Sequence, residues 1–244
     1  MVRRIVPALA ATALAVLVLA GCATPAPGAG ASDAPTPADP AGQTVPEGTG
    51  DLDVDAAWLH GGSMIAVVTY GSSTCLPGVD DAVLDEGVLV VSLTPPTGDA
   101  CTDDLVPRAL AVGAPEGIDP SAGLEVQVLL SDQIGTATLA PYAGGPAEEY
   151  APSAGWAGAE HIAILTWGSS SCAPSVESTT VVSPTEVAVT FATPRADQVC
   201  TMDMAPRVAV ATVDGEVSRD ATLTLGGLSL GSPGDAPASA IPIG

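Results

Sequence analysis

The chain of 244 residues contains no lysine and no asparagine, and its only basic side chains besides two histidines are six arginines, set against 28 acids. Without lysine there is no side-chain amine for a Schiff base and no P-loop lysine. The arginines form no basic stripe, and so acidic a surface repels a phosphate backbone, which excludes nucleic acid as a partner. The histidines, His60 and His161, do not coincide under the repeat offset described below. Surface or loop positions are expected for both, with little scope for general acid–base work. Aromatics are scarce too: three tryptophans, three tyrosines and one phenylalanine. Any core must therefore be filled mostly by Val, Ala, Leu and Ile. Beyond residue 22 no apolar period of 3.6 residues lasts longer than two turns, which argues against a helical fold.

What is present is organised around two motifs, each occurring twice. Tyr70-Gly-Ser-Ser-Thr-Cys75-Leu-Pro77 returns as Trp167-Gly-Ser-Ser-Ser-Cys172-Ala-Pro174, and Cys101-Thr-Asp-Asp104-Leu-Val-Pro107-Arg108 returns as Cys200-Thr-Met-Asp203-Met-Ala-Pro206-Arg207. Cys75 and Cys172 are 97 residues apart, and Cys101 and Cys200 are 99 apart. A near-constant offset over two motifs in the same order marks an internal repeat.

The first residues read as an address. Arg3 and Arg4 precede an apolar run over 5–20, which ends at Leu19-Ala20-Gly21-Cys22. This has the form of an export signal, with a core short for a spanning helix. The last four residues resemble the lipobox of bacterial lipoprotein signal peptides. The resemblance implies cleavage before Cys22, a lipid on its thiol and amine, and residence on the extracytoplasmic face of the cell membrane. Removing the first 22 residues leaves 28 acids against four arginines, a net charge of −24. Residues 22–50 follow as a disordered Pro/Ala/Gly linker with prolines at 25, 27, 35, 37, 40 and 46. Fully extended at the polyproline rise, it reaches on the order of 80 Å.

The fold class read from the remainder is all-β, built as two tandem small antiparallel sandwich or meander modules. Their expected bounds are 51–149 and 150–232, after a signal peptide over 1–21 and before a flexible tail over 233–244. Each copy opens with a tryptophan, Trp58 or Trp156, and then a β-branched run, 64–70 or 162–167, that stops at Gly-Ser-Ser. Hairpins are expected from 82–84 with 88–94, and from 179–182 with 187–193. Further strands follow at 108–112 and 207–213, and at 124–130 and 221–225. Val187, Val189 and Phe191 alternate onto one face. Trp58, Tyr70, Trp156 and Trp167 sit in matching places; core packing is the expectation, a binding platform the alternative.

With Cys22 assigned to lipid, four cysteines allow three pairings. The repeat selects Cys75 with Cys101 and Cys172 with Cys200, because each copy should close on itself. Export makes oxidation expected, and loops of this size stabilise by about 3.5 kcal/mol in the chain-entropy treatment. No histidine lies at ligand spacing from a cysteine pair, so metal is not expected there. Asp104 with Arg108, and Asp203 with Arg207, are expected as structural ion pairs: each arginine contacts its aspartate or loop carbonyls and fixes the turn after the second cysteine. An anion-binding pair of arginines is the functional alternative.

Reactive constellations are wanting. Gly227-Leu-Ser229-Leu-Gly231 matches the hydrolase elbow string, but no histidine follows residue 161. Asp51, Asp53 and Asp55 have the spacing of a calcium loop's first half, yet Ala56 and Gly62 stand where such a loop needs Gly and Glu. No catalytic residue, cofactor or metal is expected. The function expected is a non-catalytic binding or interaction role at the cell envelope, with an envelope protein or a small ligand as partner and the membrane reached through the lipid. The alternatives are a secreted-side hydrolase using a serine and one histidine, and a protease-inhibitor-like module presenting Leu76-Pro77.

Overall fold

The computed structural model describes residues 50–98, 100–195, 197–227 and 239–244. The signal segment, Cys22, most of the linker and the serine string after Gly227 lie outside them. The first copy contributes β1 (Gly50–Asp51), β2 (Val54–Leu59), β3 (Met64–Gly71), β4 (Gly78–Asp85), β5 (Val88–Thr94), β6 (Val106–Gly113), β7 (Leu124–Leu130) and β8 (Gln133–Leu139). The second contributes β9 (Ser153–Ala157), β10 (His161–Gly168), β11 (Val176–Ser183), β12 (Glu186–Phe191), β13 (Ala205–Thr212), β14 (Thr222–Gly226) and β15 (Ser239–Pro242). Two one-turn 3-10 helices, His60–Gly62 and Pro120–Ala122, are the only helices among the described residues. The chain is all-β.

Each copy is a sandwich of two sheets. In the first, β2-β3-β6 faces β1-β8-β7-β5-β4; in the second, β9-β10-β13 faces β11-β12-β14-β15. Strands β2 to β8 thus recur as β9 to β15. Pairing is mainly antiparallel, but β5 lies parallel to β7 and β12 parallel to β14. The parallel neighbours arise because the strand between them, β6 or β13, crosses to the other sheet and the chain then returns. A third, two-residue parallel pairing joins β1 to β8.

The two small sheets pack against each other. Ile65 and Val67 face the first core with Leu89, Val91, Val126 and Val128, while Ile162 and Ile164 face the second with Val189, Phe191 and Leu223. The intervening positions of the same strands turn the other way. Ala57, Leu59, Ala66, Val68 and Ala109 meet Ala157, Ala163 and Leu165 in a third core between the copies. The order is therefore sheet on sheet four deep, with the inner two covered on both faces. That is why residues 65–68 and 162–165 are fully buried without a polar alternate. Each Leu or Val in the shared core stabilises it by about 1.5–3 kcal/mol. The alanines and Gly155 bring the strands close: a Cβ on Gly155 would stand 2.3 Å from the carbonyl oxygen of Trp58.

Two boundaries differ from expectation. Strand β8 lies past the last strand read in the first copy. In the second, its counterpart β15 occupies part of the expected flexible tail, paired with β14 from Thr222↔Pro242 to Leu225↔Ser239. Ile243 is buried in the second core, and Gly244 N–H donates to Ala154 O at 3.0 Å. Ile241 and Ile243 alternate as a strand must, but only over four residues, beside prolines that signal a tail.

Candidate binding site

Each module is closed at one corner by the disulfide expected from the repeat, Cys75–Cys101 and Cys172–Cys200. Arg108 Nη1 donates to Cys75 O at 2.5 Å and Ser72 O at 3.2 Å. Arg207 Nη1 donates to Cys172 O at 2.8 Å, and its Nη2 to Trp167 O at 3.0 Å. The guanidinium lies against the repeated glycine, where a Cβ on Gly71 would come 2.6 Å from Arg108 Cζ and one on Gly168 2.8 Å from Arg207 Nη2. Burial pulls both arginines below their ordinary pKa, and the charge of Asp104 or Asp203 opposes the pull.

The aspartates do a different job. Asp104 accepts the Ser73 N–H at 3.0 Å and the Thr102 hydroxyl. Asp203 accepts the Ser170 N–H at 3.1 Å and the Thr201 hydroxyl. Hydroxyl donation, with the backbone N–H behind it, lowers Asp104 to about 2 and holds Asp203 well below the usual carboxylate range. The expected ion pairs are thus corrected. Among the described residues neither arginine forms a direct ion pair with its aspartate; the loop carbonyls take the Nη donors, each Nε stays buried without a hydrogen-bond partner, and loop donors satisfy the acid. The corner spends its polar groups on itself, which makes it a brace.

The histidines are placed where the copies meet. His161, its side chain 13% exposed, has Nδ1 3.3 Å from the Tyr70 hydroxyl and 3.7 Å from Asp55 Oδ2, and Tyr70 donates to that carboxylate at 3.0 Å. Burial, then Asp55, raises Tyr70 to about 12. The ring of His60 meets Trp167 edge-on at 5.3 Å, and Trp167 meets Tyr150 at 5.5 Å. The aromatic that opens each Gly-Ser-Ser turn therefore receives a histidine from the other copy. No serine hydroxyl bonds to either imidazole among the described residues; Ser153 Oγ accepts the backbone N–H of His60 instead. Asp55, taken into this cluster, is not free for a calcium loop, and no group of three or more His, Cys, Asp or Glu stands at metal-binding distance among the described residues.

A cavity of about 690 Å³ forms a groove along the junction. Its first-copy wall is Ala56, Trp58, Leu139 and Pro141; its second-copy wall is Trp156, Arg219, Pro242 and Ile243. Trp58 is buried, its Nε1 donating to Ala140 O at 2.8 Å. Trp156, its repeat partner, is half-buried, and its Nε1 donates to Arg219 O at 3.1 Å. The Arg219 guanidinium lies 4.7 Å over the Trp156 ring and donates from Nη1 to Gly158 O at 2.8 Å. The turn carrying it is held by Ser218 N–H donating to Pro184 O, and by the Ser218 hydroxyl donating to Asp220. A concave, mostly apolar site with a few fixed polar groups is the usual form of a small-molecule site.

Arg219 is not part of the repeat, and motif reading passed over it. A signal existed: once Arg108 and Arg207 belong to the braces, only Arg195 and Arg219 remain as arginines beyond residue 22. Arg195 is neutralised side-on by Asp197 at 3.2 and 3.0 Å. A second kind of surface flanks the braces, where Leu105, Val199, Met202 and Met204 are exposed apolar side chains beside the second cysteine of each pair. No protein-family model matches the chain, and no curated protein or solved structure matches it.

Proposed function

We propose that the chain is an extracytoplasmic lipoprotein, anchored in the cell membrane through Cys22, whose folded part binds a ligand at the cell envelope without transforming it. The observation that carries the binding role is the junction groove, with a half-exposed tryptophan on one wall and no reactive side-chain pairing among its lining residues. The anchor is supported by the signal-like first 22 residues, and two disulfides suit an oxidising compartment. N-phenyl-1-naphthylamine, a neutral apolar dye, tests the groove: its fluorescence should rise on the lipid-free wild type and much less on Trp156→Ala. No rise on the wild type contradicts the binding role. The anchor is tested separately, since the Cys22 peptide from membranes should carry acyl chains and Cys22→Ala should leave the membrane fraction.

A second reading, capture of an envelope protein, is favoured by the exposed Leu105, Val199 and Met202 on disulfide-braced loops. Replacing all three by serine should then abolish retention of that partner and leave dye binding intact.

A further inference from the structure

We infer that the junction groove takes a monoanionic amphiphile, an apolar chain ending in a carboxylate, with Arg219 as its headgroup receptor. This rests on the groove being a binding site, and it adds the class of ligand.

The argument starts from the scarcity of cations. Of the four arginines beyond residue 22, two brace the disulfide corners and Arg195 is paired with Asp197. Arg219 alone is exposed, carries no ion pair among the described residues, and borders a cavity. With 28 acids in the chain, a cation that pairs with none of them among the described residues stands out, and this one is fixed on a tryptophan at the mouth of an apolar groove. Stacking on Trp156 occupies a face of the guanidinium, and the bond to Gly158 O occupies Nη1. The side formed by Nε and Nη2 is left, and that pair of parallel N–H groups matches the two oxygens of a carboxylate.

The rest of the groove sets the remainder of the ligand. Trp58, Pro141 and Ile243 offer apolar contact, with the Thr138 hydroxyl as a further side-chain polar group, too sparse a set for a polyhydroxylated sugar. A cavity of about 690 Å³ falls in the range of sites that enclose most of a small organic ligand. Asp220, next to Arg219, accepts a hydrogen bond from the Ser218 hydroxyl and places a carboxylate close by. With the surrounding acidic surface, it favours a single negative charge over a dianion.

The test is a titration of the full lipid-free chain, disulfides intact, with dodecanoate, dodecanol and dodecyltrimethylammonium below their micellar concentrations. Displacement of N-phenyl-1-naphthylamine is the readout. Dodecanoate should displace the dye best, dodecanol on the order of tenfold less well, and the ammonium least, since one charge-assisted hydrogen-bonded contact is worth about that factor. Arg219→Gln should bring dodecanoate down to the level of dodecanol and leave dodecanol unchanged. The ranking on the wild type needs no variant, so a poorly folded Arg219→Gln would not rescue the idea. Equal displacement by acid and alcohol, or preference for the ammonium, overturns the ligand class while dye binding still upholds the groove. Failure of the dye itself to bind removes both.

Discussion

The α-carbon of Gly155 faces the backbone of Trp58 so closely that a side chain there would begin 2.3 Å from the Trp58 carbonyl oxygen. These residues belong to opening strands of different copies, so the contact sets how near the two modules come. It also sets the groove, because Trp58 lines one wall and Trp156, next to Gly155, lines the other. Gly155→Val should therefore act as an overpacking change across the junction, costing about 1–3 kcal/mol. Urea denaturation should show it as a lower midpoint, and dye binding should weaken in the same variant.

The arginine braces give a repeat-specific expectation. Arg108→Met and Arg207→Met each strip a charged donor from carbonyls beside a disulfide, at a cost of about 1–2 kcal/mol per module at a half-exposed site. The two losses should add, because the corners share no partner. Asp104→Asn in combination with Arg108→Met should show little coupling through a direct ion pair, which a double-mutant cycle reads.

Acid should act on the aspartates of the same corners. Asp104 is lowered from 3.8 to about 2 by the Thr102 hydroxyl and the Ser73 donors, and Asp203 is shifted the same way. A depressed folded pKa contributes stability that is present above the unfolded value and is lost as pH falls through the folded one. Stability of the wild type should thus decline between pH 4 and about 2, and the decline should be shallower in Asp104→Asn. Chemical denaturation at several pH values measures both slopes.

At the alkaline end the sign reverses. Tyr70 is raised from 10.0 to about 12 by burial and by Asp55, so its contribution is complete below 10.0 and lost as pH rises through about 12. Absorbance titration should show a phenol ionising near there that Tyr70→Phe removes. Burial raises Tyr142 as well.

The sandwiches and their disulfides were legible because Gly-Ser-Ser and Cys-Thr-x-Asp recur at a nearly fixed offset, and because Val187, Val189 and Phe191 alternate. The stacking of the copies was not. In residues 65–68 both faces are apolar, and a run without alternation cannot say what covers its second face. Alanines 57, 66 and 163 carry no pattern that singles them out in an alanine-rich chain, yet they belong to the contact surface. Strand β8 was missed since Gly135, Thr136 and Thr138 dilute its pattern; its glycine is there because a Cβ would meet Leu52 O at 2.3 Å. Arg219 was hidden because the first copy has no equivalent. The histidines, expected at surface or loop positions, lie at the junction instead, His161 largely buried in a strand, because each finds its aromatic in the other module.

The groove exists only while the two modules stay stacked, so scanning calorimetry of the full chain, disulfides intact, is the most direct test. A shared core predicts one peak whose calorimetric and van't Hoff enthalpies agree, as for a single cooperative unit. Two resolved peaks, or a calorimetric enthalpy about twice the van't Hoff value, would contradict it: the copies would then unfold as independent modules.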